Sequence, residues 1–271
     1  MNDSFSDRLA YVQRLRHSVV CVGIDPDPAR IPAHLGSDLS VSIPAFCRDI
    51  IRATSEFASS YKFNFAFFEA LGSAGHDIMA ECLAAVDETA VTIADAKRGD
   101  IGNSAGFYAK SVFDDLGFHS VTVSPYMGRD SVTPFLSRSG TCAFVLARTS
   151  NPGGDDLQQL SDGTRPLYEA VASLAGSWAN DEPGEAGLVV GATDLDAMKR
   201  LRAIGPDVPF LVPGVGAQGG SARDVLTASG SGPILVNSSR AILYASSGRD
   251  FASAAEAATR ALARELEEAR S

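Results

Sequence analysis

The strongest constraint on the fold is a rhythm of eight short apolar runs rich in β-branched residues. They read SVVCVGID (18–25), YKFNFAFF (61–68), VTIADAK (91–97), SVTVSPY (120–126), CAFVLART (142–149), GLVVGAT (187–193), PFLVPGVG (209–216) and PILVNSSR (233–240). Each has the composition of a buried strand. Between them lie apolar residues at helical spacing, such as Ile78, Met79, Cys82, Leu83 and Val86, or Leu167, Val171, Leu174 and Trp178. A closing stretch from Phe251 to Arg270 places Phe251, Ala255, Ala258, Leu262 and Leu266 on one side. Strand thus alternates with helix throughout, with no linker-like break. This predicts one α/β domain over residues 1–271, a (β/α)₈ TIM barrel rather than a doubly wound sheet. Residues 5–16 predict an extra N-terminal helix, Ser6 at its cap and Leu9, Val12 and Leu15 on one face, covering the bottom of the barrel.

Charge narrows the partners. The 271 residues carry 33 acidic and 23 basic side chains, a net charge of −10. That excludes nucleic acid or an anionic membrane as the main partner and leaves room for one basic pocket. The first residues, MNDSFSDRLAYVQRLRHS, are polar, and no run reaches the roughly 18 apolar residues of a membrane span. A cytoplasmic protein is expected. Cys21, Cys47, Cys82 and Cys142 are scattered without a C-x-x-C pair, so they read as free core thiols. His17, His34, His76 and His119 are equally isolated and read as surface or loop residues, so no metal site is expected.

The chemistry concentrates after the first three runs. Side chains alternate along a strand, so Asp95 and Lys97 share a face in VTIADAK. In YKFNFAFF the aromatics Tyr61, Phe63, Phe65 and Phe67 take the outer face, leaving Lys62 and Asn64 on the barrel side. Asp25 ends the first run in VGID. Two lysines and two aspartates then converge at one mouth. An ordinary rim ion pair would account for Asp95 and Lys97 alone. Three adjacent strands each burying charge is another matter, because each desolvated charge costs several kcal/mol and stability rarely calls for it. Across the mouth, PGVGAQGG after run seven and NSSRAI after run eight occupy the usual phosphate site of this fold. Their glycines admit backbone N–H groups to phosphate oxygens, with Gln218 and Arg240 as side-chain donors.

Together, DAKRGDIGNS, VGIDPDP, PGVGAQGG and NSSRAI resemble the orotidine 5′-phosphate decarboxylase family over about 18–245, closest to its bacterial branch with DAKRGDI. The resemblance implies decarboxylation of orotidine 5′-phosphate to UMP and CO₂ with no cofactor and no metal. It implies a charged tetrad of Lys62, Asp95, Lys97 and Asp100, with Lys97 the proton donor to C6 of the pyrimidine. Asp25 would bind the ribose hydroxyls with Lys62, Ser150 the pyrimidine, and Gln218 and Arg240 the phosphate end, with Ser239 a further substrate-binding residue. Asp100, Ile101 and Ser104 would reach into a partner's site, making the working unit a homodimer. The RGD in this stretch is then an overlap: Arg98 faces outward, Gly99 turns the chain and Asp100 belongs to the motif. A metal-dependent sugar-phosphate branch of similar barrels shares D-x-K-x-x-D but not VGIDPDP or RTSNPGG. A Schiff-base aldolase fits less well, since a lysine flanked by carboxylates stays protonated. A catalytically silent nucleotide-binding barrel would have no need of the complete tetrad.

Overall fold

The computed structural model describes residues 4–215 and 221–270. Eight parallel strands close into a barrel in chain order: β1 (Val20–Ile24), β2 (Ser60–Asn64), β3 (Val91–Arg98), β4 (Ser120–Val123), β5 (Cys142–Arg148), β6 (Glu185–Val190), β7 (Phe210–Pro213) and β8 (Ile234–Ser238). The barrel closes through Val20–Val236, Cys21–Asn237 and Val22–Ser238 pairing. Helices are α1 (Phe5–Arg16), α2 (Leu39–Thr54), α3 (Phe65–Glu69), α4 (Gly75–Leu83), α5 (Gly102–Ala109), α6 (Asp155–Gln158), α7 (Leu167–Ala179), α8 (Leu195–Ile204), α9 (Ala222–Ser229), α10 (Arg240–Leu243) and α11 (Phe251–Arg270).

Strand alternation sorts the core into two shells. Outward residues such as Val22, Tyr61, Phe63, Val121 and Val145 pack under the helices. Inward residues Cys21, Val91, Ile93, Cys142, Phe144, Val189, Leu211 and Leu235 fill the barrel, and Phe5, Leu9 and Val12 of α1 join them. Phe5 meets the Phe144 ring edge-on at 5.8 Å. The N-terminal helix is therefore a plug that buries apolar surface from below, each large side chain contributing about 1.5–3 kcal/mol. All four cysteines are free and buried.

Several expectations need correction. YKFNFAFF is not one strand: β2 stops at Asn64, whose side chain accepts from Ala66 N at 3.3 Å and caps α3. Phe65 and Phe67 are thus helical. The cap of α1 is Ser4, not Ser6; Ser6 instead binds the Glu185 carboxylate, its backbone N donating at 3.1 Å. Leu15 of that helix faces solvent. The buried face of α7 is Tyr168, Ala172, Ala175 and Trp178, leaving Leu167 and Leu174 exposed. Strand and helix do not alternate everywhere: β4 leads to β5 through short 3-10 turns, 129–131 and 133–135. Pro125, Gly128, Pro134 and Gly140 break that connection into turns.

His119 is no loose surface residue. Its Nδ1 accepts from Thr92 N at 3.1 Å and meets Thr92 Oγ1 at 2.9 Å, while His119 N donates back to Thr92 Oγ1. A ring nitrogen that accepts from a backbone N–H must be unprotonated. Burial, followed by the nearby Arg8 cation, lowers the imidazole from 6.5 to about 4. The unfolded chain binds this proton near pH 6.5 and the native chain only near 4. The contribution to stability is full above about 6.5 and declines as pH falls towards 4. Urea unfolding across that window should show this decline, and His119→Asn, whose Oδ1 can still accept, should remove its imidazole component.

Candidate active site

Hydrogen-bonded neighbours β1, β2 and β3 bring their carboxyl ends together. Lys62 Nζ donates to Asp95 Oδ2 at 2.7 Å and stands 3.8 Å from Asp25 Oδ1. Lys97 Nζ donates to the other Asp95 oxygen, Oδ1, at 2.6 Å. One carboxylate thus bridges two ammonium groups. Burial alone would raise the Asp95 carboxyl, but the Lys62 and Lys97 cations outweigh it and hold the group far below the usual carboxylate range. Burial alone would lower Lys62; Asp95 and then Asp25 more than offset it and raise the ammonium. The two lysines differ in access. Lys62 is buried, whereas the Lys97 side chain is 51% exposed. The first is a fixed charge and the second faces the space where a ligand would sit.

Lys97 also departs from ordinary strand geometry. Its φ is 47°, left-handed for a residue with a side chain, and the pairing of β3 with β4 shifts register between Ala94 and Arg98. Such a conformation costs on the order of 1–2 kcal/mol. Thr122 of β4 braces it, accepting from Lys97 N at 2.9 Å and donating to Asp95 Oδ1 at 3.0 Å. Sequence reasoning missed Thr122. The signal was there, because alternation in SVTVSPY puts Ser120 and Thr122 on the inner face. Gly99 has a reason other than a turn: a Cβ there would lie 2.9 Å from the Ser124 carbonyl oxygen, so only glycine lets the chain pass β4.

A cavity of about 420 Å³ opens over these groups, within the range of small-molecule sites. Lys62, Asp95, Lys97 and Thr122 line one side, Ser150 and Gln158 another, and Leu146, Val189 and Leu211 form an apolar floor. Two buried acceptors at the mouth, Asp25 Oδ1 and Asn237 Oδ1, make no hydrogen bond among the described residues. Buried polar atoms are normally satisfied, so these two suit ligand hydroxyls. Ser239 sits half-buried beyond β8, accepting from Asn237 Nδ2 at 3.5 Å, and Arg240 opens α10 on the exposed side. Gln218 lies outside the described residues.

Asp100, Ile101 and Ser104 do not join this cavity. Asp100 Oδ1 accepts from Ile101 N at 2.8 Å, and Asp100 and Ser104 line a separate outer cavity of about 610 Å³ with Phe107 and Tyr108. Arg98 faces outward, paired with Glu69 and set over the Phe65 and Tyr108 rings at 5.5 and 4.9 Å. Within one chain the lysine–carboxylate cluster therefore comprises Asp25, Lys62, Asp95 and Lys97.

Fold and site define a (β/α)₈-barrel enzyme with a buried, alternating charge cluster at the carboxyl ends of its strands. The family model described as "Orotidine 5'-phosphate decarboxylase / HUMPS family" matches residues 18–258, and the chain belongs to that family. It is 46% identical over 275 residues to a protein of Delftia acidovorans named orotidine 5′-phosphate decarboxylase, covering 98% of each. Among solved structures it is similar to a Leishmania donovani OMP decarboxylase, with TM-score 0.83 and 38% identity, covering 97% of this chain and 99% of that one. It also matches a Leishmania donovani UMP synthase, with TM-score 0.85 and 40% identity, spanning 97% of this chain but 56% of that longer one.

Removing the shared carboxylate should expose the energetics of the cluster. Asp95→Asn leaves Lys62 buried with only the more distant Asp25 to balance it, and breaking such a pair costs about 3–5 kcal/mol. Urea unfolding at neutral pH should show a loss of that order, accompanied by loss of activity.

Proposed function

We propose that this chain catalyses the cofactor-independent decarboxylation of orotidine 5′-phosphate to UMP and CO₂, the last step of de novo UMP synthesis, as a cytoplasmic homodimer. The observation that carries the reading is the Asp95 carboxylate held between Lys62 and Lys97 beside a nucleotide-sized cavity. Membership of the family and a full-length relative of the same name support it. Among the described residues no helix is long and apolar enough to cross a membrane.

In this reading the C6–carboxylate bond breaks, CO₂ departs, and its electron pair stays on C6. No π-system spreads that charge, so the site must supply a preorganised cation and then a proton. Lys97 Nζ does both, transferring a proton to C6 and recovering one through its exposed side. Asp95 holds and aims the Lys97 amine through its Oδ1. The same carboxylate faces the substrate carboxylate, a repulsion relieved as CO₂ leaves; this is a secondary contribution. Asp25 and Lys62 bind the ribose hydroxyls, Ser150 the pyrimidine, and Gln218 and Arg240 the phosphate, with Ser239 a further substrate-binding residue. Binding at that remote end supplies energy for assembling the site around C6.

Asp100, Ile101 and Ser104 act in the partner's site. Supporting this, Ile101 and Phe107 are large apolar side chains left 56% and 69% exposed, and Phe107 lines the outer cavity with Asp100 and Ser104. Asp100 so placed completes the tetrad across the interface.

Purified protein supplied with orotidine 5′-phosphate and a metal chelator should release UMP and CO₂, and Lys97→Ala should lower turnover by at least about 10³-fold. Loss of activity on chelation would favour the metal-dependent sugar-phosphate branch. Mixing inactive Lys97→Ala and Asp100→Ala dimers should restore activity as subunits exchange, since each heterodimer holds one intact site. No recovery after demonstrated exchange would count against the shared site.

A further inference from the structure

Arg148 ends β5 and is 8% exposed, yet it has no part in the lysine–carboxylate cluster. Its guanidinium divides among three side chains. Nε donates to Asp194 Oδ2 at 2.9 Å, Nη2 pairs with Asp155 Oδ1 at 2.7 Å, and Nη1 reaches Gln158 Oε1 at 3.4 Å. Asp194 is the N-cap of α8, its other oxygen accepting from Ala197 N at 3.0 Å. Asp155 and Gln158 belong to α6, in the connection that follows β5. Gln158 ties that connection down further, accepting from Thr149 N at 2.9 Å and donating to Thr149 Oγ1 at 2.8 Å.

The stretch fastened in this way is one wall of the cavity: Ser150, Asn151, Gly153, Gly154, Leu157 and Gln158 line it. A Cβ on Gly154 would lie 3.0 Å from Gln158 Oε1 and 3.4 Å from an Arg148 nitrogen, so the network presses directly against the wall's backbone. The two carboxylates that hold Arg148 are unequal. The Asp194 side chain is 25% exposed and fixed by its capping bond; that of Asp155 is 65% exposed and rides on a four-residue helix. A buried guanidinium keeps its partners only where they satisfy it well. Here one partner is fixed by its capping bond and the other stands open to solvent.

We propose that Arg148 is a positioning residue for nucleotide binding: it pins the 150–158 wall to the start of α8, and its pair with Asp155 holds that wall in the position that receives substrate. The proposal rests on the decarboxylase reading for its ligand. It acts by preorganisation, so its loss weakens ground-state and transition-state binding alike and raises KM with kcat unchanged.

The test compares wild type with Asp155→Asn, Asp155→Glu and Asp156→Asn. Asp156 is an exposed neighbour outside the network, so its variant is a control for the charge change. UMP affinity is measured by calorimetry, and kcat and KM with orotidine 5′-phosphate. Asp155→Asn should weaken UMP binding and raise KM by at least fivefold, with kcat within twofold; Asp155→Glu should recover most of the affinity, and Asp156→Asn should match wild type. The proposal is overturned if Asp155→Asn and Asp156→Asn share the same UMP affinity and KM, or if Asp155→Asn loses kcat in step with thermal stability while KM holds. UMP affinity decides the role of Arg148. Wild-type turnover separately decides the decarboxylase reading.

Discussion

The site is organised around a carboxylate that two ammonium groups hold in its ionised form. Asp95 has a lysine on each oxygen, and Lys62 in turn has a second aspartate at 3.8 Å. The two buried charges, Lys62 and Asp95, would not persist alone at such depth, since desolvation disfavours the charged form of each. Held in alternation, each sustains the charge of the next. The arrangement aims the Lys97 amine at the cavity, where a reaction that generates an unshared electron pair can use it without waiting for solvent to reorganise.

The barrel makes that alternation possible. Three parallel neighbours end at the same rim, so residues far apart in the chain meet with no loop between them. Beneath them the interior is sealed by Phe144, Val189, Leu211 and Leu235, and from below by Phe5, Leu9 and Val12. A dry, close-packed floor keeps the local dielectric low, which strengthens every charge interaction above it. The stability of the plug and the electrostatics of the mouth are two consequences of the same packing.

The left-handed Lys97 fits the same logic. An unfavourable backbone conformation persists only where its surroundings over-determine it, and here the Thr122 hydroxyl, the Asp95 carboxylate and the shifted β3–β4 register all act on one residue. Strain, charge and exposure coincide at the side chain assigned the proton transfer.

The barrel, its N-terminal helix and the meeting of Asp25, Lys62, Asp95 and Lys97 are legible in the order of residues alone, because strand alternation and strand order are local rules that a pattern of apolar residues expresses directly. That pattern misjudged YKFNFAFF, where a polar cap at Asn64 turns a strand into a helix although the aromatics continue the strand pattern. It also rotated the buried face of α7, since Leu167 and Leu174 are as apolar as the residues that are in fact covered. The bulge at Lys97, the brace from Thr122 and the hold of Arg148 on a wall of the cavity emerge only in the folded chain. Those depend on contacts between separate elements, whose geometry is set by how the closed barrel packs and not by the order of residues along any one segment.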